Sequence, residues 1–346
     1  MTSASAPPAA SRPRNARWWP TLLAFLLAAV AGGAAAIVGW RQFGPRDVTV
    51  SAGAFPEELV YARTSDDVIN GGAFFSSTGT GRPAVIWIHG WGTSFASPTY
   101  TATARALAAR GVPTITANTR MHDLGNSATY RNGRRVRGGG YWGITSEQTL
   151  DIASWVDFAA QRGFRRVVLV GHSAGWSAVA AYQVTRQDPR VVGLVLASGS
   201  VAPGKPDRNP DLLARARTHV QHGAGDDLLR LPNRSVPSFI SAGTYADIAD
   251  TPPALLDFFG VDRRDAGIVQ LRRPLLAFFG TRGDVGGQAD LDVVQSAPSR
   301  LSLSAQPVET TMIGLADHMY TGEEAKVAGV IASWIDRVVT PASTRR

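Results

Sequence analysis

The chain has 346 residues, 44% of them hydrophobic and 18% charged, and no cysteine. That much apolar material excludes a mainly disordered protein, and the missing Cys excludes a disulfide scaffold, a Cys-ligated metal centre and a cysteine nucleophile. The net charge of +8 is local: Arg12, Arg14 and Arg17 without an acid (+3), then Arg120, Arg131, Arg134, Arg135 and Arg137 against Asp123 (+4), leaving +1 elsewhere. No extended basic face remains for a phosphate backbone, so nucleic acid is not an expected partner.

Residues 1–17, rich in Ser, Ala, Pro and Arg, read as a flexible basic tail. Residues 18–40 carry no charge and place Trp18, Trp19 and Trp40 at the two ends. A helix of that length spans about 30 Å of hydrocarbon, and Trp favours the headgroup level. The segment is read as a single transmembrane anchor. A cleavable signal peptide, with its apolar core at Leu22–Val30 and small residues Ala34–Ala36 at the cut, is the rival reading. Three Arg before the span against Arg41 and Arg46 after it favour a cytoplasmic N-terminus and an exported remainder. On the rival reading the domain is secreted after cleavage. Residues 41–55 serve as stalk and first strand.

From residue 56 to 340 the pattern is that of a soluble domain, followed by a short tail at 341–346. Alternation around Leu59–Ala62 and the Gly71-Gly72 pair predict antiparallel strands. The apolar run Ala84–Ile88 predicts a buried strand, and a helix follows over about 98–110, stopped by Gly111. Val112–Ala117 is another strand, whereas polar, Gly-rich residues 121–145 read as a long loop. A helix from Ser146 to Gly163, a strand at Arg166–Val170, a helix from Ala174 to about Arg186 and a strand at Val191–Ala197 continue the rhythm. Residues 201–270 interrupt it and read as a cap insertion. Strands at Leu275–Phe279 and Val308–Ile313, with no helix assigned between them, precede a last helix from about Glu323 to Val338. Strand alternating with helix implies an α/β fold, with a mainly parallel sheet covered on both faces.

Gly171-His172-Ser173-Ala174-Gly175 fits G-x-S-x-G, a tight strand-to-helix turn that projects the Ser173 hydroxyl above the sheet edge. Gly171 and Gly175 keep that turn free of a colliding Cβ. His318 follows the last strand, where a neutral imidazole can take the serine proton and return it to a leaving group. The acid belongs on a loop after a late strand, which favours Asp284 at the end of Leu275–Phe279, with Asp290 and Asp292 as competitors. His89-Gly90-Trp91-Gly92 follows the first core strand. Gly90 lets backbone N–H groups face the site, and Trp91 with Ala174 form the expected oxyanion hole.

With these residues in place, the chain resembles the α/β-hydrolase fold superfamily from about residue 56 to 340. Asn118-Thr119-Arg120-Met121-His122-Asp123 is similar to the family's N-x-R-G-H-D segment, with Met121 in place of the usual Gly. The resemblance implies an eight-stranded, mostly parallel sheet with helices on both faces, a cap at about 201–270, and a hydrolase needing no metal or organic cofactor. Epoxide hydrolases and dehalogenases fit less well, since they use Asp where this chain has Ser173. The reading is a membrane-anchored, exported serine hydrolase of a small-molecule carboxylic ester, working through an acyl-serine intermediate. A peptidase or acyltransferase on the same triad, and a catalytically silent binding module, are the alternatives. The Arg131–Arg137 cluster reads either as a solvated loop or as a lure for anionic groups.

Overall fold

A computed structural model of the protein describes residues 56–79, 81–131, 134–204, 209–232, 238–303 and 307–339. The expected tail, anchor and stalk at 1–55 and the short tail at 341–346 lie outside the described residues. Among the described residues, no helix is long and apolar enough to cross a membrane.

Strands β1 (Glu57–Arg63), β2 (Ile69–Phe75), β3 (Ala84–Ile88) and β4 (Thr114–Ala117) open the domain, with helix α1 (Pro98–Ala108) between the last two. Hairpin β5 (Asn126–Arg131) and β6 (Arg134–Gly138) leads to helix α2 (Gln148–Gln161) and strand β7 (Val167–His172). Helix α3 (Ala174–Arg186) and strand β8 (Val191–Ala197) follow. The insertion after β8 carries α4 (Pro210–Gln221), β9 (Leu228–Arg230), β10 (Phe239–Ser241), α5 (Ala242–Ala249), α6 (Pro253–Leu256) and α7 (Gly267–Gln270). The chain then returns through β11 (Leu275–Gly280), α8 (Gln288–Arg300), β12 (Val308–Ile313) and α9 (Glu324–Trp334), which runs on into a π-helical turn over Ile335–Val339.

The described residues form one eight-stranded sheet, in the order β1-β2-β4-β3-β7-β8-β11-β12, and two small two-stranded ones. Strand β2 runs antiparallel to both its neighbours, and the pairings from β4 through β12 are parallel. Strands covered on both faces need apolar side chains at successive positions, and β3, β7 and β11 are buried at every residue. Their side chains alternate between two cores. Ala84, Ile86, Leu169, Leu194 and Phe279 join α2, α3 and α8 on one face. Val85, Trp87, Val168, Val195 and Phe278 join α1 and α9 on the other.

The insertion has a small core of its own, with Leu212, Ala216, Leu229, Ala242 and Ala246 buried. It is also tied to the segment after β6. The Trp142 Nε1–H donates to the Asp226 carbonyl (2.9 Å), the Ser241 N–H to the Tyr141 carbonyl (2.7 Å), and the Thr244 hydroxyl to the Gly143 carbonyl (3.0 Å).

Two expectations need correction. The stretch 121–145 is not a plain loop, because β5 and β6 pair antiparallel within it. Asn132-Gly133 between the two strands is a strong hairpin signal, but it sits among so many charges that no apolar alternation marks the strands. The second is α8, where no helix was assigned. Its core residues Leu291, Val294 and Ala297 follow helical spacing, but Pro298 near the end disguises it.

Candidate active site

Strand β7 ends in a turn where Ser173 takes φ 52° and ψ −121°. A residue with a Cβ is strained there by roughly 1–3 kcal/mol, and such strain persists only where the surroundings impose it. The two glycines supply that constraint. A Cβ on Gly171 would lie 2.4 Å from the Gly175 carbonyl oxygen, and one on Gly175 would lie 2.6 Å from the His89 carbonyl oxygen. Strand, helix and the loop after β3 therefore approach more closely than any larger residue permits. A Cβ on Gly90 would stand 2.9 Å from the Cβ of Ser173, which brings that loop directly beside the elbow.

The loop after β3 is held from below. The buried His89 ring donates from Nδ1 to the Gly90 carbonyl at 2.7 Å and accepts the Thr119 N–H at Nε2, 3.1 Å away. Burial lowers its pKa to about 4, so the ring is neutral at neutral pH. The Trp91 indole donates to the Gly140 carbonyl (3.2 Å) and meets Tyr141 edge-on, yet the residue stays 47% exposed. Among the described residues the Trp91 backbone N–H has no hydrogen-bond partner. Ala174 is the first residue of α3, where N–H groups lack intrahelical partners.

His318 lies on the loop after β12, its ring 4.9 Å from that of His172 between centroids. Its Nδ1 is 3.7 Å from the Asp284 carboxylate, too far for a hydrogen bond, and is buried with no hydrogen-bond partner among the described residues. The Asp284 side chain is 83% exposed. The competing aspartates are occupied elsewhere. Asp290 accepts the Gly287 N–H at the start of α8 (2.9 Å), and Asp292 accepts the Gln288 amide (2.8 Å). The fold thus gathers Gly90, Ser173, His318 and Asp284 along one rim of the sheet. No hydrogen bond joins the Ser173 hydroxyl to the His318 ring.

A model of the alpha/beta hydrolase family matches residues 85–330, the greater part of the chain. The chain belongs to the alpha/beta hydrolase family. Solved structures share the fold at low identity. The alpha/beta hydrolase GrgF from Penicillium sp. sh18 is 14% identical with a TM-score of 0.61, over 83% of this chain and all (100%) of that one. A Pyrococcus furiosus esterase is 16% identical (TM-score 0.54, 85% and 97% covered). The esterase domain of a Rhodothermus marinus protein is 17% identical (TM-score 0.50, 82% and 99% covered). No curated protein matches the sequence.

In this alpha/beta hydrolase the N-x-R segment proves to be a foundation for the site. Asn118 accepts the Phe95 N–H (2.7 Å), which fixes the later part of the loop between β3 and α1. Arg120 is buried and pairs with Asp151 (3.0 Å), Asp66 (3.1 Å) and Glu147. Burial works against the guanidinium charge, but these carboxylates outweigh it and hold its pKa above the ordinary value. Asp151 was not singled out from sequence. Its signal was there, since an acid on the core face of α2, four residues before the buried Trp155, demands a buried cation. Tyr100 was missed as well. Its hydroxyl meets Gly90 and His172, and no periodicity marks that.

A cavity of about 560 Å³ lies apart from Ser173, His318 and Asp284, lined by Arg120, Arg135, Arg137, Trp142, Glu147 and Asp226 among others. Arg137 stacks over the Trp142 ring at 5.3 Å, so part of the basic cluster packs against the protein.

Proposed function

We propose that the protein is a serine hydrolase of carboxylic esters. The observation that carries this is the left-handed backbone of Ser173, a strained non-glycine residue at a turn two glycines compress. Ser173 attacks the ester carbonyl carbon while His318 takes its hydroxyl proton. The Trp91 and Ala174 N–H groups receive the developing oxyanion. Collapse of the tetrahedral intermediate expels the alcohol, which leaves with the proton from His318. Water then repeats the sequence on the acyl-Ser173 ester. Asp284 orients the imidazole and stabilises its cation. This reading has the 3.7 Å His318–Asp284 contact close in the substrate complex, where catalytic hydrogen bonds commonly tighten. Solved esterases of the same fold support the reaction class.

Fluorophosphonate labelling and a p-nitrophenyl ester chain-length series test this reading. Ser173→Ala should abolish labelling and lower kcat by up to about 10⁶-fold, because serine and histidine act as a unit. A second reading, a binding module that does no chemistry, takes its support from the open His318–Asp284 contact at 3.7 Å. An unlabelled wild-type protein would favour it.

We further propose that residues 18–40 anchor the chain in a membrane, with the hydrolase domain exported. The full chain should stay in the membrane fraction after carbonate washing. A mature soluble protein beginning near Ile37 would replace anchor by signal peptide.

A further inference from the structure

Neither buried histidine takes part in the mechanism above; His89 holds the loop after β3, and His172 is left without a role. His172 is 1% exposed, as is Tyr100 beside it. Its Nε2 is 2.8 Å from the carbonyl oxygen of His318 and its Nδ1 is 2.7 Å from the Tyr100 hydroxyl. A carbonyl can only accept, so Nε2 carries the proton. In the neutral ring Nδ1 is then an acceptor, and Tyr100 must donate to it. The Tyr100 oxygen in turn accepts the Gly90 N–H at 3.1 Å. Thr93, 3.3 Å from that hydroxyl, donates to the Gly90 carbonyl instead (3.0 Å). Every donor direction is therefore assigned: Gly90 N–H to Tyr100, Tyr100 to His172, His172 to the His318 carbonyl. Burial lowers the His172 pKa to about 3, so the ring keeps this one pattern of donors at neutral pH.

We propose that His172, oriented by Tyr100, is a positioning residue that ties the backbone of the His318 loop to the elbow and to the Gly90 loop. The three segments carrying the base, the nucleophile and the oxyanion donors come from distant parts of the chain, and this bridge joins them into one frame. The loop of His318 needs such a tie. Leu315, three residues before it, and Tyr320, two residues after it, both sit at positive φ (66° and 63°). Their strain would relax if the loop were free to move. His172 is buried and acts through the carbonyl of His318.

This inference rests on the serine-hydrolase reading, and the experiment separates the two. In the full chain, His172→Phe removes the donor to His318, whereas His172→Gln places an amide N–H near the Nε2 position. With p-nitrophenyl butyrate, His172→Phe is expected to lower kcat by about 10- to 100-fold with KM within about twofold, the cost of displacing a reacting group. His172→Gln should recover to within about threefold of wild type. Tyr100→Phe is expected to cost about 3- to 10-fold, the worth of one hydrogen bond. The double variant Tyr100→Phe/His172→Phe should be no slower than His172→Phe, since both act through one chain. The fluorophosphonate labelling rate should fall in parallel with kcat.

Thermal melts identify any variant that does not fold, and if His172→Phe is one, Tyr100→Phe and His172→Gln carry the test. A folded His172→Phe within twofold of wild type overturns the bridge. So do additive costs in the double variant, or a folded Gln variant as slow as the Phe variant. If Tyr100→Phe alone is available, an unchanged kcat overturns it. Wild-type protein that takes no fluorophosphonate overturns the hydrolase reading itself and the bridge with it.

Discussion

Around Ser173 the chain is held by contacts that leave no room for rearrangement, while around Asp284 almost nothing touches the side chain. On the elbow side, Gly171, Gly175 and Gly90 allow backbones to meet at distances a Cβ would violate. Two neutral, buried histidines and the Arg120–Asp151 pair lie beneath that contact. On the acid side, Asp284 follows β11 on a Gly-rich turn, 83% exposed and 3.7 Å from His318. The contrast follows from solvation. A hydroxyl and a peptide N–H can be packed at little cost once hydrogen-bonded, but a carboxylate away from water needs a partner before it can be buried. Folding by itself therefore packs the elbow, whereas the Asp284 side chain stays in solvent.

The sharpest way to break that comparison is Asp284→Asn. If the carboxylate closes on His318 during turnover, kcat should fall by roughly 10⁴-fold, as for an acid that orients a catalytic imidazole. The melting temperature should not change, because the side chain is exposed. A rate within tenfold of wild type would mean that the open contact is the working one.

On the elbow side the largest effect expected is on stability. Arg120→Leu strands the fully buried Asp151 carboxylate and should cost about 3–5 kcal/mol in urea unfolding. A cost below about 1 kcal/mol would show that the Asn70 amide (2.9 Å) and the backbone N–H of residue 120 (3.0 Å) hold the charge without the guanidinium.

The two buried histidines give a pH signature. Burial depresses His89 to about 4 and His172 to about 3 from an ordinary 6.5. Between those limits the unfolded chain binds protons that the folded one refuses. Stability is therefore full above pH 6.5, falls as the pH drops through that value, and levels off only near the folded pKa values. At pH 5.5 the loss should be roughly 1 kcal/mol per histidine relative to pH 7.5. His172→Gln should lose about half as much as wild type over that interval. Equal losses in the two proteins would count against a neutral, buried His172.

The smallest effects concern the other two aspartates. Asp290→Ala should cost under about 1 kcal/mol, the value of an accepted N–H at the start of α8, with kcat within tenfold. Asp292→Asn, on an exposed i,i+4 contact with Gln288, should change neither quantity measurably. A rate loss in either variant larger than that of Asp284→Asn would move the acid to another place in the loop.

The buried strands were legible because a strand covered on both faces cannot hide. Ala84–Ile88 and Val191–Ala197 have the bounds their apolar runs suggested, and the partly buried edge strand Val308–Ile313 also has its expected bounds. The same holds for the elbow, where two glycines flank a serine between such a strand and an Ala-rich helix. The hairpin β5–β6 was not legible, since its sequence is polar and charged and β6 is mostly exposed. Helix α8 was not read from the sequence, although Leu291, Val294 and Ala297 keep helical spacing up to Pro298.

Among the candidate site residues, residue type and chain order picked out Ser173, His318 and Asp284, because each follows the end of a recognisable strand. What sequence alone determined was the set of strand ends and the small residues that let them meet. Only the tertiary structure decided what lies behind them. It revealed that Asp151 compensates Arg120, that Asp290 and Asp292 are engaged in α8, and that Tyr100 and His172 connect Gly90 to His318. Local pattern records the burial of a side chain, which depends on its own element. A hydrogen bond between residues 72 or 146 positions apart depends on the packing of every element between them.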